Sequence, residues 1–223
     1  VSRVMGPLPA ALKADVPAPV RGIVFQLAEN LGSIGRDAVA PQIEALGKTG
    51  RKELRLLGVR LGRHQVFMPA LVKAPSVAMR GLLWAVHHDD TPPPIPAGRV
   101  CLAIDKKAPE GFYGAMGYVP FGGLAVRADI AERIASKAWT LGRKGAFEAV
   151  PELMSLAGCG ADDMAAILKG LGYRARKDKG GVTRFRLASP PKPKKQQAGR
   201  SGGPTGKQQD SPFAKLGGLT AAR

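Results

Sequence analysis

Two cysteines, Cys101 and Cys159, are all the sulfhydryl chemistry that 223 residues carry. That is too few for a disulfide framework or a four-ligand zinc site, and without a CxxC pair both read as small buried side chains. Aromatic residues are also scarce, 5% of the chain against 44% hydrophobic overall, so the core has to be mostly aliphatic. No run of about 18 apolar residues is present, which excludes a membrane-spanning helix of the usual kind. The opening VSRVMGPLPAAL lacks the positive-then-apolar order of a signal peptide, and the absence of an initial Met reads as a fragment or a processed chain. Missing too are GxxxxGK[ST], GxSxG and HExxH, so no active site and no cofactor are expected within this chain. These absences point to a protein of a reducing, cytoplasmic compartment with no membrane partner.

Acidic residues are outnumbered, 17 against 34 Lys and Arg, for a formal charge of +17. Such an excess favours a polyanionic partner. Its distribution is uneven. Residues 1–173 hold 21 basic and 15 acidic side chains, whereas residues 174–223 hold 13 and 2. From Ser189 onward Pro, Gly, Lys, Gln and Ser leave almost nothing apolar to bury, which predicts a disordered basic tail over 189–223, including Lys192, Lys194 and Lys195. A proline-rich linker is expected at 91–98, dividing a helical region (1–90) from a mixed α/β region (99–188).

Periodicity places the elements. Val20, Ile23, Val24, Leu27 and Leu31 mark one helix face, with Gly32 as its end. Shorter helices are predicted over Arg36–Leu46, where Pro41 blurs the start, and over Gly50–Leu57. Val59–Leu61 and Gln65–Phe67 flank a Gly-containing turn and read as a small hairpin. A helix from Pro75 to Val86 is expected to bury Met79, Leu82, Leu83 and Val86. In the second region a strand is expected around Val100–Ile104, a short helix over Glu110–Met116, and a strand over Val119–Val126 interrupted by Gly122-Gly123. Helices follow over Ala128–Trp139, where Asp129 and Glu132 suit the dipole, then over Pro151–Ala157 and Ala161–Leu171. Strands Tyr173–Arg176 and Val182–Leu187 close the region. The fold class is therefore α+β, mainly helical with small β elements.

Helix, tight turn at Gly158-Cys159-Gly160, helix and two-stranded wing is the order of a winged helix-turn-helix. The wing carries Arg174, Arg176, Lys177, Lys179, Arg184 and Arg186, six cations able to meet phosphates without reading sequence. The helix ahead of it is poorly suited to that task, because it exposes Asp162 and Asp163 and one cation, Lys169. A second cluster of donors, Arg60, Arg63 and His64, sits on the first hairpin turn, as in a phosphate-contacting loop or an ordinary solvated turn. Arg80 and Trp84, four apart on a helix, form either a platform for a base or a cation–π pair at the core edge. His87-His88-Asp89-Asp90 reads as a polar helix end, since neighbouring residues diverge and no second ligand pair accompanies them.

The stretch LRLLGVRLGRHQVFMPALVKAPSVAMRGLLWAV resembles the C-terminal portion of alphaproteobacterial superfamily-two helicases related to the mitochondrial-degradosome RNA helicases, the Suv family. GFYGAMGYVPFGGLAVRADIAERIA and LMSLAGCGADDMAAILKGLGYRARK are similar to the region that follows in those proteins, so the resemblance covers about residues 17–187. It implies an accessory region that packs on the motor domains of the same polypeptide and helps hold single-stranded RNA or DNA. ATP and Mg are then expected only at the upstream helicase core. A free-standing winged-helix regulator and a ribonucleoprotein assembly factor are the alternatives that composition leaves open.

Overall fold

The first apolar stripe builds a helix as its spacing predicts, except that Leu31 falls beyond its end, in the left-handed conformation. The computed structural model describes residues 2–188 except 92, 97 and 179. Lys179 and the tail expected over 189–223, with Lys192, Lys194 and Lys195, lie outside the described residues. Two short helices that periodicity does not reveal, α1 (Ser2–Met5) and α2 (Pro7–Leu12), precede α3 (Ala18–Glu29). Pro17 and Pro19 suit the start of α3, where backbone N–H groups lack partners anyway. Val20, Ile23, Val24 and Leu27 are buried along it, each contributing about 1.5–3 kcal/mol of apolar burial.

A 3-10 turn (Arg36–Val39) leads into α4 (Ala40–Ala45), so Pro41 begins a helix rather than breaking one. Then α5 (Gly47–Leu56) and the hairpin β2 (Arg60–Leu61) and β3 (Gln65–Phe67) follow. A third strand, β1 (Ser33–Gly35), pairs antiparallel with β3, giving the order β1-β3-β2. Helix α6 (Ala74–His88) comes next and ends at Asp89 in the left-handed conformation.

The expected buried face of α6 is only half right, since Met79 and Leu83 pack on the core around Ile23 while Leu82 and Val86 turn outward. Leu82 is 63% and Val86 84% exposed, while Ser76, Val77, Arg80 and Trp84 are buried and Met79 and Leu83 half-buried. Both stripes are apolar enough to be read as core. An arginine in the middle of one argues for the other, yet in the fold it is the arginine stripe that turns inward.

In the second region β4 (Cys101–Ala103), α7 (Phe112–Ala115), β5 (Tyr118–Phe121) and β6 (Leu124–Arg127) follow in order. The single interrupted strand expected over Val119–Val126 is thus a hairpin turning at Gly122-Gly123, in a sheet of order β4-β6-β5. Then come α8 (Ala128–Gly142), β7 (Phe147–Glu148), α9 (Pro151–Ala157), α10 (Ala161–Gly170), β8 (Tyr173–Lys177) and β9 (Thr183–Leu187). Gly158 ends α9 at φ 63, a conformation costly for any residue with a Cβ. The last sheet has the order β7-β9-β8. The described chain is mixed α/β, with small antiparallel sheets, and contains no helix long and apolar enough to cross a membrane.

The apolar clusters do not follow the boundary read at 91–98. Phe67 and Val72 belong to the same core as Val119, Val126, Ile134 and Phe185. Val77 and Trp84 of α6 pack with Phe112, Met116 and Tyr118. The first-region helices hold their own cluster around Ile23, Leu27 and Leu54.

Candidate nucleic-acid interface

Register decides what the β8–β9 hairpin presents. Arg174 lies opposite Arg186 and Arg176 opposite Arg184, so the two-residue period puts all four on one face. Tyr173 and Phe185 point the other way, into the core. Like charges directly opposite one another destabilise a hairpin by some tenths of a kcal/mol per pair, about 0.2–1. All four arginines are exposed, as is Lys177, which sits across from Thr183 on the opposite face.

One of the four has acidic company. Arg184 lies 3.3 Å from Asp178 and 3.6 Å from Glu148, half-exposed pairs that contribute little to stability. Asp178 is occupied as well by the turn, accepting N–H bonds from Gly180 at 2.9 Å and Val182 at 3.1 Å. Arg174, Arg176 and Arg186 have no ion-pair partner among the described residues.

Helix α10, beside the hairpin, presents Asp162 and Asp163 at its exposed start. Its far end lies under β5, where a Cβ on Gly170 would enter the ring of Phe121. Its own cation, Lys169, is exposed.

The first hairpin turn is built differently from a free phosphate loop. The carboxylate of Glu132, on α8, accepts the backbone N–H groups of Arg63 at 2.6 Å and of His64 and Gln65 at 2.7 Å each. Arg36 closes the turn from the other side, donating to the Gly62 carbonyl at 2.8 Å. The backbone donors are therefore taken, and only side chains are left to meet a ligand. Arg60 and Arg63 are exposed and His64 half-buried. The Arg63 guanidinium lies 4.2 Å over the Trp139 ring, a cation–π pair that spacing in sequence cannot reveal. Glu132 itself is legible in sequence only as a helix-dipole residue. At 6% exposure among Ala128, Ala131 and Ala135, it needs buried donors, and the turn supplies them.

Arg80 and Trp84 do not form a platform. Arg80 is 0% exposed, and none of its guanidinium nitrogens has a hydrogen-bond partner among the described residues. The group is wedged between Gly32 and Gly117, where a Cβ at either position would crowd it. Burial pulls its pKa down from the ordinary arginine range to about 10. Trp84 stacks instead on His88, centroids 3.9 Å apart, and meets Phe112 edge-on. His88 Nδ1 lies 2.9 Å from the Trp84 carbonyl oxygen.

Cys101 and Cys159 are half-buried and free. Burial, then the neighbouring Cys101 and Asp163, pushes the Cys159 thiol up to about 11, and burial likewise raises Cys101. Burial thus disfavours the thiolate form of both.

No family model, curated protein or solved structure matches this chain.

Proposed function

We propose that this chain is a nucleic-acid-binding accessory region of a Suv-like ATP-dependent helicase, holding single-stranded RNA or DNA beside motor domains of the same polypeptide. The observation that carries the binding half of this reading is the arginine face of the β8–β9 hairpin. Four like charges in two directly opposed pairs oppose folding, and three of them have no carboxylate beside them among the described residues. A polyphosphate is the partner that relieves such repulsion. The helicase half rests on the resemblance in sequence.

The order α8, β7, α9, α10, β8, β9 with strands arranged β7-β9-β8 supports a winged-helix arrangement with the hairpin as its wing. The acidic start of α10 and its cover by Phe121 argue against that helix reading bases in a groove. Contact through the wing makes binding insensitive to sequence, because phosphates carry no base information.

The test is binding of labelled single strands of several sequences across a salt series, by the unaltered protein and by R174A/R176A/R186A. Affinity should fall about equally for every sequence, and the slope of log affinity against log salt should shrink by roughly 0.7 for each phosphate that the variant no longer neutralises. An unchanged slope with the fold intact by circular dichroism assigns the hairpin to a protein partner instead. Lacking GxxxxGK[ST], the chain alone should show no nucleic-acid-stimulated ATP turnover.

A further inference from the structure

A second set of basic residues lies outside the wing itself, on elements from both sides of the proline-rich segment. Arg51 and Arg55, one turn apart on α5, face Arg60 of β2 across a cleft of about 590 Å³. Its floor is Val59, Leu61 and Pro69, and among the described residues no carboxylate lines it. Arg60 also forms the wall of a neighbouring cleft of about 460 Å³, whose opposite side is the face of α8 that carries Arg133, Ser136, Lys137 and Thr140. The two clefts therefore meet at one arginine.

The second cleft contains two acids, and both are engaged. Asp129 is chelated by Arg127 through two bonds of 2.7 and 2.9 Å, which neutralises its charge locally. The Glu132 carboxylate is held by the three turn amides, its oxygens directed to the backbone of residues 63–65. No described carboxylate lies within ion-pair distance of Arg51, Arg55, Arg60, Arg133 or Lys137. Arg51 makes one long bond, 3.4 Å, to the Ile43 carbonyl. Five cations thus line two clefts that share Arg60, with one carboxylate, Glu132, that has no cation bonded to it.

We infer that the two clefts joined at Arg60 form a phosphate-binding track for a single-stranded nucleic acid, separate from the wing. Four of the five cations are arginines, whose planar forks match phosphate oxygens in a bidentate fashion. Ser136 adds an exposed hydroxyl on the α8 wall, while Thr140 donates its own to the Ser136 carbonyl. Trp139, on the same helix, lines neither cleft but is 36% exposed, with the Arg63 guanidinium over its ring. A basic groove with an anchored aromatic carried on the same helix is a combination that holds single strands, with phosphates in the groove and a base against the ring. An acidic peptide would use the charges but not the ring.

The inference rests on reading the chain as a nucleic-acid binder, and the experiment lets the two fail separately. The full chain carrying R51Q/R55Q/R60Q/R133Q/K137Q, with the wing unaltered, is titrated against labelled oligo-dT and oligo-U over a salt series. Every phosphate left unpaired by the variant should flatten the salt slope by roughly 0.7, so a decrease of about 1.5 or more is expected with at least a tenfold drop in affinity at low salt. The charge-keeping variant R51K/R55K/R60K/R133K should recover most of the slope, which damage to the fold would not. An unchanged slope, or a lysine variant that binds no better than the glutamine one, overturns the track. Competition by polyglutamate as effective as by oligo-dT assigns the groove to an acidic protein segment and also overturns it. If the wing variant loses affinity while the groove variant does not, the wing reading stands and the track falls. If the unaltered chain binds no oligonucleotide, both fall.

Discussion

Gly62 lies against the carboxylate of Glu132 so closely that a Cβ at position 62 would occupy the space of the acid group. The turn and the helix fit each other across a long stretch of intervening chain, and their meeting leaves room for neither a larger residue nor a missing carboxylate.

Removing the acid should therefore be costly. In E132A three amides lose a charge-assisted partner, at an expected loss on the order of 3 kcal/mol. G62A should lose a comparable amount by displacing the carboxylate rather than deleting it. Urea denaturation midpoints measure both, and the double variant should cost less than the sum, since each substitution breaks the same set of bonds.

Arg80 points the opposite way. A buried guanidinium with no partner is a charge the fold would be better without, so R80M should melt at or above the temperature of the unaltered protein. R80A, which leaves a cavity, should melt below it. The pH dependence has a definite sign. A folded pKa of about 10, below the ordinary arginine range, means the unfolded chain binds the proton more tightly. This group's penalty is thus fully present below pH 10 and relieved as pH rises from there toward the ordinary range. At pH 7, R80M is compared with a fully charged, fully penalised arginine, and scanning calorimetry at that pH reads the difference.

The two arginines at the middle of β9 should separate by function. Arg184 is shared between Asp178 and Glu148, whereas Arg186 meets no acid among the described residues. R186A should weaken oligonucleotide binding several-fold more than R184A. The pair of single variants, titrated side by side in low salt, checks the order.

Cys159 should resist alkylation until the medium is strongly alkaline. With its thiol at about 11, the pH profile of its reaction with iodoacetamide should be displaced upward by about two units in the folded protein and return to the ordinary range in urea. The raised folded value favours the protonated thiol. Its contribution to stability is thus present below the unfolded pKa and lost as pH rises through about 11. Mass spectrometry of the modified peptide separates Cys159 from Cys101.

How much of this is legible in the sequence varies with the length of the pattern. Helix α9 appears with the bounds its Pro151 and Gly158 suggest, and α3 and α10 follow from apolar spacing sustained over three turns. The hairpin cations follow from alternation, although only the register reveals that Arg174 and Arg186 stand face to face. Strands β1 and β7, three and two residues long, have no period to detect. They exist because β3 and β9 offer an open edge. The inward face of α6 runs against its composition, because burying an arginine is normally so unfavourable that the other stripe reads as core. Glu132 and the clefts at Arg60 are out of reach for another reason. The Glu132 contact and the second cleft join residues some seventy positions apart, and the first cleft depends on how α5 folds back on β2, so nothing local announces either.

Phe67 and Val72 share a core with the strands and helices that carry the wing, and Glu132 reaches back to the turn beside them. A cut in the proline-rich stretch would thus sever the chain without releasing the pieces. The nicked molecule should run as one species in gel filtration and as two bands after denaturation. Expressed as separate halves, the two should reassemble by complementation, because what holds them together never passed through the linker.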